Sequence, residues 1–436
     1  MAIPAMTGWR TTLKGSGTVT IGLIVLGLSS YIFLTISARV LGPNNFSLLA
    51  TLWSLVYAIG GGAFAPLEQE FTRIISKSRS GLHEANLDGG PTLTVAGTLA
   101  ILVILLLFGL RTLIARQLFR GDIIYVDILI ISVILQSGLY VLRGTIAGSR
   151  RYSYYAFQLG SEGLTRAIIA AIVATVGLNG NTWLVVSVPL ASAISLIATI
   201  VFLWARRLEF FQQTWYFIRG AGTRSWRRGI AKAGRRISSL SISSLEAQGL
   251  ANLGPVAVQL ISREPAASGR LLASFIVVRL PLFFSSAIQA SLLPELVSAV
   301  ETNDETRFMG YVSRFLATLL LLAIASSAIV VVAGPSLVRI LFGSAYSSGI
   351  AELLILGNSS VLLLGTTILQ AALVALDRHA HTAFAWTVAS IVFLGSLFIP
   401  IAAISRIEIA LLGSSGIAFL AMGTLLLHQR NTHYAQ

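Results

Sequence analysis

Apolar stretches long enough to cross a bilayer follow one another along almost the whole chain, at 16–38, 46–66, 91–114, 122–142, 154–178, 182–204, 237–262, 271–299, 312–333, 351–375, 383–405 and 407–428. A spanning helix needs roughly 20 mostly apolar residues, so the pattern predicts an all-α polytopic membrane protein of about twelve transmembrane helices. One long hydrophilic break, 205–236, divides the chain into an N-terminal six-helix bundle at 1–204 and a C-terminal one at 237–436, joined by a basic cytoplasmic linker. A six-plus-six division is the pattern of transporters whose substrate path runs through a central cavity between two bundles. The seventh segment is rich in Ser and Gly, and the fourth begins at Asp122 and carries Asp127, so these two are the least regular of the set.

Composition agrees with a membrane solvent. The chain of 436 residues is 55% hydrophobic and only 11% charged, with mean hydropathy +0.82. A water-soluble fold of that composition would expose a very large apolar surface. The net charge of +14 lies in short connections between spans, where it sets topology and meets anionic lipid and gives no reason to invoke nucleic acid. Arg10 and Lys14 before the first span, Arg73, Lys77, Arg143, Arg150, Arg151, the middle linker and Arg430 share one side, so both termini are expected in the cytoplasm and the protein in the cytoplasmic membrane. Arg111, Arg116 and Arg120 run against that rule on the opposite side. The first apolar run is too long for a cleavable signal and reads as a retained span.

The linker interleaves Arg206, Arg207, Arg219, Arg224, Arg227, Arg228, Lys232, Arg235 and Arg236 with Trp204, Trp215, Tyr216 and Trp226. Cations alternating with aromatics suit a helix at a headgroup surface that binds anionic lipids; contact with a partner enzyme is the competing reading.

Charges inside apolar spans cost roughly 2.5–3.5 kcal/mol on insertion scales, which marks them for function or for pairing. Glu162 and Arg166 are four residues apart on one helical face. Either they neutralise each other to aid packing, or Arg166 faces the cavity and binds an anion while Glu162 orients it. Arg279 stands in the eighth span with no acid within one turn, and its guanidinium either meets a substrate phosphate or forms a salt bridge with Glu246. Glu246 and Gln248 belong to a polar run with Ser238, Ser239, Ser241, Ser243, Ser244 and Asn252, which is expected to line a wet cavity; close helix approach is the alternative. The substrate-binding candidates are therefore Arg166, Arg279, Glu162, Glu246 and Gln248. Gln136, Gln289 and Gln370 read as interhelical hydrogen-bonding residues, and Gly60–Gly62, Pro66, Pro281 and Pro294 as bends or tolerated kinks.

Cysteine is absent, the five histidines lie in connections or at the tail, and neither a phosphate-binding Gly-Lys-Ser/Thr loop nor a Ser/His/Asp arrangement appears. The expectation is a non-enzyme without cofactor or metal.

Four short stretches add a family resemblance: Ala38-Arg-Val-Leu-Gly-Pro-Asn-Asn-Phe46, Leu142-Arg-Gly-Thr-Ile-Ala-Gly-Ser-Arg-Arg-Tyr152, Leu292-Leu-Pro-Glu-Leu296 and Leu337-Val-Arg-Ile-Leu-Phe-Gly-Ser-Ala-Tyr346. The first, with Arg39, Gly42 and Pro43, resembles the segment after the first span of bacterial polysaccharide exporters in the multidrug/oligosaccharidyl-lipid/polysaccharide flippase superfamily. The other three are similar to that family in order and position. The resemblance implies a bundle pair that opens alternately to either side and flips a lipid-linked saccharide, with cavity cations, here Arg166 and Arg279, meeting its pyrophosphate or acidic sugars. It also implies polysaccharide-assembly enzymes as possible partners. Competing readings are a multidrug cation antiporter of the same superfamily, a membrane scaffold for envelope-polysaccharide enzymes and, ranked last, a membrane polymerase or ligase.

Overall fold

A computed structural model describes residues 5–79, 89–206, 223–279, 292 and 295–434. Among them the regular structure is helical. The helices are α1 (Ala5–Ile59), α2 (Ala65–Arg79), α3 (Gly89–Gly109), α4 (Arg111–Leu118), α5 (Ile123–Gly148), α6 (Tyr152–Val176), α7 (Gly180–Ala205), α8 (Thr223–Asn252), α9 (Gly254–Ile261), α10 (Ala267–Arg279), α11 (Glu305–Phe342), α12 (Ile350–Ala375), α13 (His379–Ser396) and α14 (Ala403–Tyr434). Pro281, Gln289, Pro294, Trp215, Tyr216, Arg207, Arg219 and His83 lie outside the described residues.

Eight of these helical runs are long and apolar enough to cross a membrane. The difference from the expected twelve has local causes. The run Gly17–Lys77 holds two spans, because α1 turns at Gly42, whose φ of 67° and ψ of 169° lie in a region open essentially to glycine alone. Pro43 follows, its fixed φ suited to starting the second arm. The seventh span is divided between α8 and α9 and diluted by its polar first half, α13 is short, and the eighth is only partly described. Large apolar side chains such as Leu105, Leu106, Phe108, Leu320, Leu321 and Val332 are exposed on the helix surfaces, as expected where lipid is the solvent.

Helix ends follow ordinary capping chemistry. The side chains of Asp122, Asn179 and Asp304 accept backbone N–H groups at the starts of α5, α7 and α11. Left-handed Gly177 closes α6. Glu352 reaches back to the Gly349 N–H at 3.1 Å before α12. The irregular Arg111–Arg120 stretch is the short helix α4, and Arg111 is held by the Asp127 carboxylate on α5, with Nε 2.6 Å from Oδ1.

By packing, the chain forms two compact units: unit 1 is Met1–Ile36 with Leu55–Leu245, and unit 2 is Ser37–Ser54 with Glu246–Gln436. The last of these boundaries falls within α8, whose first part is Thr223–Arg236.

In unit 1, α5 lies close along α2. A Cβ on Gly144 would come within 2.6 Å of the Glu68 carbonyl oxygen, and one on Gly148 within 2.8 Å of Ile75 Cβ. The Thr72 hydroxyl also donates to the Gly144 carbonyl at 3.2 Å. Two glycines four residues apart thus give the Leu142–Tyr152 motif a packing role, the small-residue contact by which membrane helices approach. In the Ser-rich seventh segment two serines follow the alternative expectation, close helix approach. Ser241 and Ser244 donate to the carbonyls of Ala63 (3.3 Å) and Gly61 (3.0 Å), so these hydroxyls serve close helix contact.

In unit 2, two of the motif stretches meet. Arg39 donates through Nε to the Leu341 carbonyl at 2.7 Å and through Nη2 to the Ile340 carbonyl, capping the C-terminal end of α11. The buried Tyr346 hydroxyl donates to the Ala38 carbonyl at 2.8 Å, and its ring meets Phe46 edge-on with centroids 5.7 Å apart. Burial pushes this phenol up from the usual tyrosine range, so it remains a donor. Arg39→Ala is expected to lower stability by about 1–2 kcal/mol, and Arg39→Lys to restore only part of it, because one ammonium does not reproduce the two-pronged contact. Thermal unfolding in detergent measures this, and equal midpoints for Ala and Lys would refute it.

Candidate functional site

The densest buried polar arrangement described in the chain is centred on Glu162 of α6, within unit 1. Its position follows from a stripe, Gln158, Glu162 and Arg166, that recurs every four residues and so occupies one face of the helix. That face meets α5, α7 and the second arm of α1. Glu162 Oε1 accepts from Arg166 Nη2 (2.8 Å), Ser192 Oγ (3.1 Å) and Gln136 Nε2 (3.2 Å). Oε2 accepts from Arg143 Nη2 (2.6 Å) and Gln158 Nε2 (3.3 Å). Both oxygens are saturated, which makes a carboxylate tolerable where Glu162 and Arg166 are each 1% exposed and Arg143 7%.

The arginines are fixed in turn. Arg166 Nη1 donates to the Tyr57 hydroxyl at 2.8 Å. Arg143 Nε donates to Gln158 Oε1 at 2.5 Å, and its guanidinium lies 5.2 Å from the centroid of Tyr140. Ser195 accepts from Gln158 at 3.1 Å and pairs with Ser161 at 2.8 Å. Close by, Tyr155 donates to Glu68 at 2.5 Å.

A search of protein-family models finds no match. Relatives by sequence include the uncharacterized protein Rv3630 of Mycobacterium tuberculosis, 26% identical over 89% of this chain and 86% of that protein. The uncharacterized protein Rv1510 of the same organism is 27% identical over 88% and 84%. Among solved structures, an inward-facing multidrug resistance MATE family transporter of the MOP superfamily superposes with a TM-score of 0.71, 13% identity and coverage of 95% of this chain and 99% of that one. This chain has the MATE transporter fold. A MOP-superfamily transporter from Pyrococcus furiosus, described as having a binding pocket of reversed polarity that suggests a different function, matches at 0.62, 12% identity and 96% of both chains. The MATE fold is a twelve-helix, two-bundle architecture, in agreement with the helices expected from the apolar pattern.

On that fold, Glu162 and Arg166 lie together as a pair within a larger network. The other candidates belong to unit 2. Arg279 ends α10, where Nη2 donates to the Ala251 carbonyl at 2.8 Å and Nε to Ser360 Oγ at 3.1 Å, with Phe275 beneath the guanidinium at 4.2 Å. The Ala251 contact caps the end of α8 just before the break at Leu253. Gln248 Oε1 accepts from Asn252 Nδ2 at 2.9 Å. Glu246 Oε1 accepts from Thr387 at 2.7 Å, while its Oε2 is buried without a hydrogen-bond partner. Arg39, Gly42 and Pro43 form the turn and cap described above.

Sequence position alone groups Arg143 with the loop arginines, whereas the structure places it inside α5 against Glu162. What marks it in the sequence is its place in the Leu142–Tyr152 motif, which does not say whether the side chain enters a loop or the interior. Tyr57 carries no such signal.

Proposed function

We propose that this protein is a membrane transporter that moves an anionic, lipid-linked saccharide intermediate across the cytoplasmic membrane for cell-surface polysaccharide assembly. The observation that carries this reading is the Arg143–Glu162–Arg166 group, in which two guanidinium groups share one carboxylate inside a transporter fold. An acid bound by two arginines offers nothing to a cationic drug. A phosphate has the charge and the oxygens to replace Glu162 as their acceptor, since guanidinium binds phosphate in two-pronged fashion. In this account Glu162 keeps the arginines placed while the site is empty, and the saccharide headgroup takes them over during transport. The lipid tail remains in the bilayer, both termini face the cytoplasm, and the exposed Arg227, Arg228 and Arg235 of α8 rest near anionic headgroups.

The MATE neighbours named as multidrug transporters support a second reading, a cation antiporter, and the buried unpartnered Oε2 of Glu246 is the observation that favours it. The two are separated in proteoliposomes. Translocation of a labelled lipid-linked oligosaccharide is expected from the parent protein and to fall roughly ten- to a hundredfold in Arg143→Gln, the worth of a lost charge-assisted hydrogen bond. Proton- or sodium-driven uptake of a cationic dye, lost in Glu246→Gln and unaffected in Arg143→Gln, would instead establish the antiporter.

A further inference from the structure

The chain between α1 and α2 is a π-helical turn, Gly60–Phe64, buried throughout. Such a turn holds one residue more than an α-helix, so what precedes it is rotated about 100° from the register an unbroken helix would give. Tyr57 lies three residues before the turn and accepts from Arg166. Gly60 itself packs against Gln136, with a Cβ position 3.5 Å from Gln136 Cγ, and Gln136 donates to Glu162. The turn therefore adjoins the charge network on two sides.

Its other side is held by α8. Ser244 Oγ donates to the Gly61 carbonyl, which also accepts the Ala65 N–H, and Ser241 Oγ donates to the Ala63 carbonyl. Between them Leu245 lies so close to Gly62 that a Cβ there would be 2.6 Å from Leu245 Cδ2 and 2.9 Å from its Cα. Ser241, Ser244 and Leu245 are spaced three and four residues apart, hence on one face of α8. A triple glycine on one helix and a serine pair on the other, each out of place in an apolar span, explain each other.

We infer that Ser241 and Ser244 are positioning residues of the transport site: by holding the wide turn at Gly60–Phe64 they set the register that places Tyr57 on Arg166, so that α8 governs this guanidinium's partner. The inference rests on the reading of Arg166 as a transport residue. Motion of α8 that withdraws the two hydroxyls lets the turn tighten toward α-helix, swings Tyr57 away and leaves Arg166 open to a substrate phosphate.

Two measurements on the full-length protein test it. Hydrogen exchange across residues 55–64 is expected to speed up roughly tenfold or more in Ser241→Ala/Ser244→Ala, the equivalent of losing two hydrogen bonds, and to slow again in the conservative Ser244→Thr. In proteoliposomes the serine changes are expected to alter lipid-linked oligosaccharide translocation in the parent and to add nothing in a Tyr57→Phe background. Unchanged exchange, or serine effects that add fully to those of Tyr57→Phe, overturns the inference while leaving the transport reading in place. Parent-like translocation by Arg166→Gln overturns the transport reading and with it the serines' role there, and the exchange arm still reports whether they hold the turn.

Discussion

Glu162→Ala is expected to cost about 3–5 kcal/mol of folding stability, because it strands two buried guanidinium groups. Arg143 and Arg166 both direct a nitrogen at this carboxylate, at 2.6 and 2.8 Å. Neither reaches water readily at 7% and 1% exposure. Removing one partner of a buried group is far more damaging than removing all of them, since the penalty comes from the charge left behind. The triple replacement Arg143→Met/Glu162→Leu/Arg166→Met is therefore expected to unfold at a higher temperature than Glu162→Ala alone, though it abolishes the proposed transport. Thermal unfolding in one detergent compares them. A single alanine variant as stable as the parent would show that the network is not desolvated.

The second large effect is expected at the α2–α5 contact. Alanine at Gly144 and Gly148 together should destabilise by about 1–3 kcal/mol per site, the usual cost of forcing atoms into a packed interface. The atoms in the way at Gly144 include the backbone of Glu68, which no side-chain rotation relieves. Displacement of α5 would also carry Arg143, the residue before Gly144, away from Gln158 and Glu162, so the proposed transport should fall along with stability. Gly97 and Gly109 on α3 provide the control, since a Cβ there meets nothing within 4 Å and alanine is the better helix former. Loss of stability at Gly97→Ala equal to that at Gly144→Ala would mean that helix propensity and not close packing sets the result.

Different parts of this architecture differ in how far they could be read from the chain. Nine of the twelve expected spans fall on the long apolar helical runs, the seventh and eleventh on divided or short helices and the eighth in part on α10, because a bilayer demands long apolar runs with internally paired backbones. The Gly42–Pro43 turn was likewise visible as a motif. The i, i+4 relation of Glu162 and Arg166 was legible because both residues lie on one helix. Arg143 was not, because a residue at the edge of an apolar run looks the same whether it enters a loop or turns into the interior. The serines of α8 looked like the lining of a wet cavity, since a hydroxyl in an apolar run has the same sequence signature whether it meets water or a neighbouring carbonyl.

By itself the sequence determined that this is a helical membrane protein, roughly where its helices begin and end, and which residue types are costly enough inside them to require partners. Only the tertiary structure decided what those partners are: Arg143 with Glu162, Tyr57 with Arg166, Ser241 and Ser244 with the glycine turn, and Arg39 with the end of α11. The reason lies in the solvent. Lipid is as apolar as a helix interface, so the faces turned to lipid and to protein carry nearly the same side chains, and hydropathy leaves each helix's rotation open until packing fixes it.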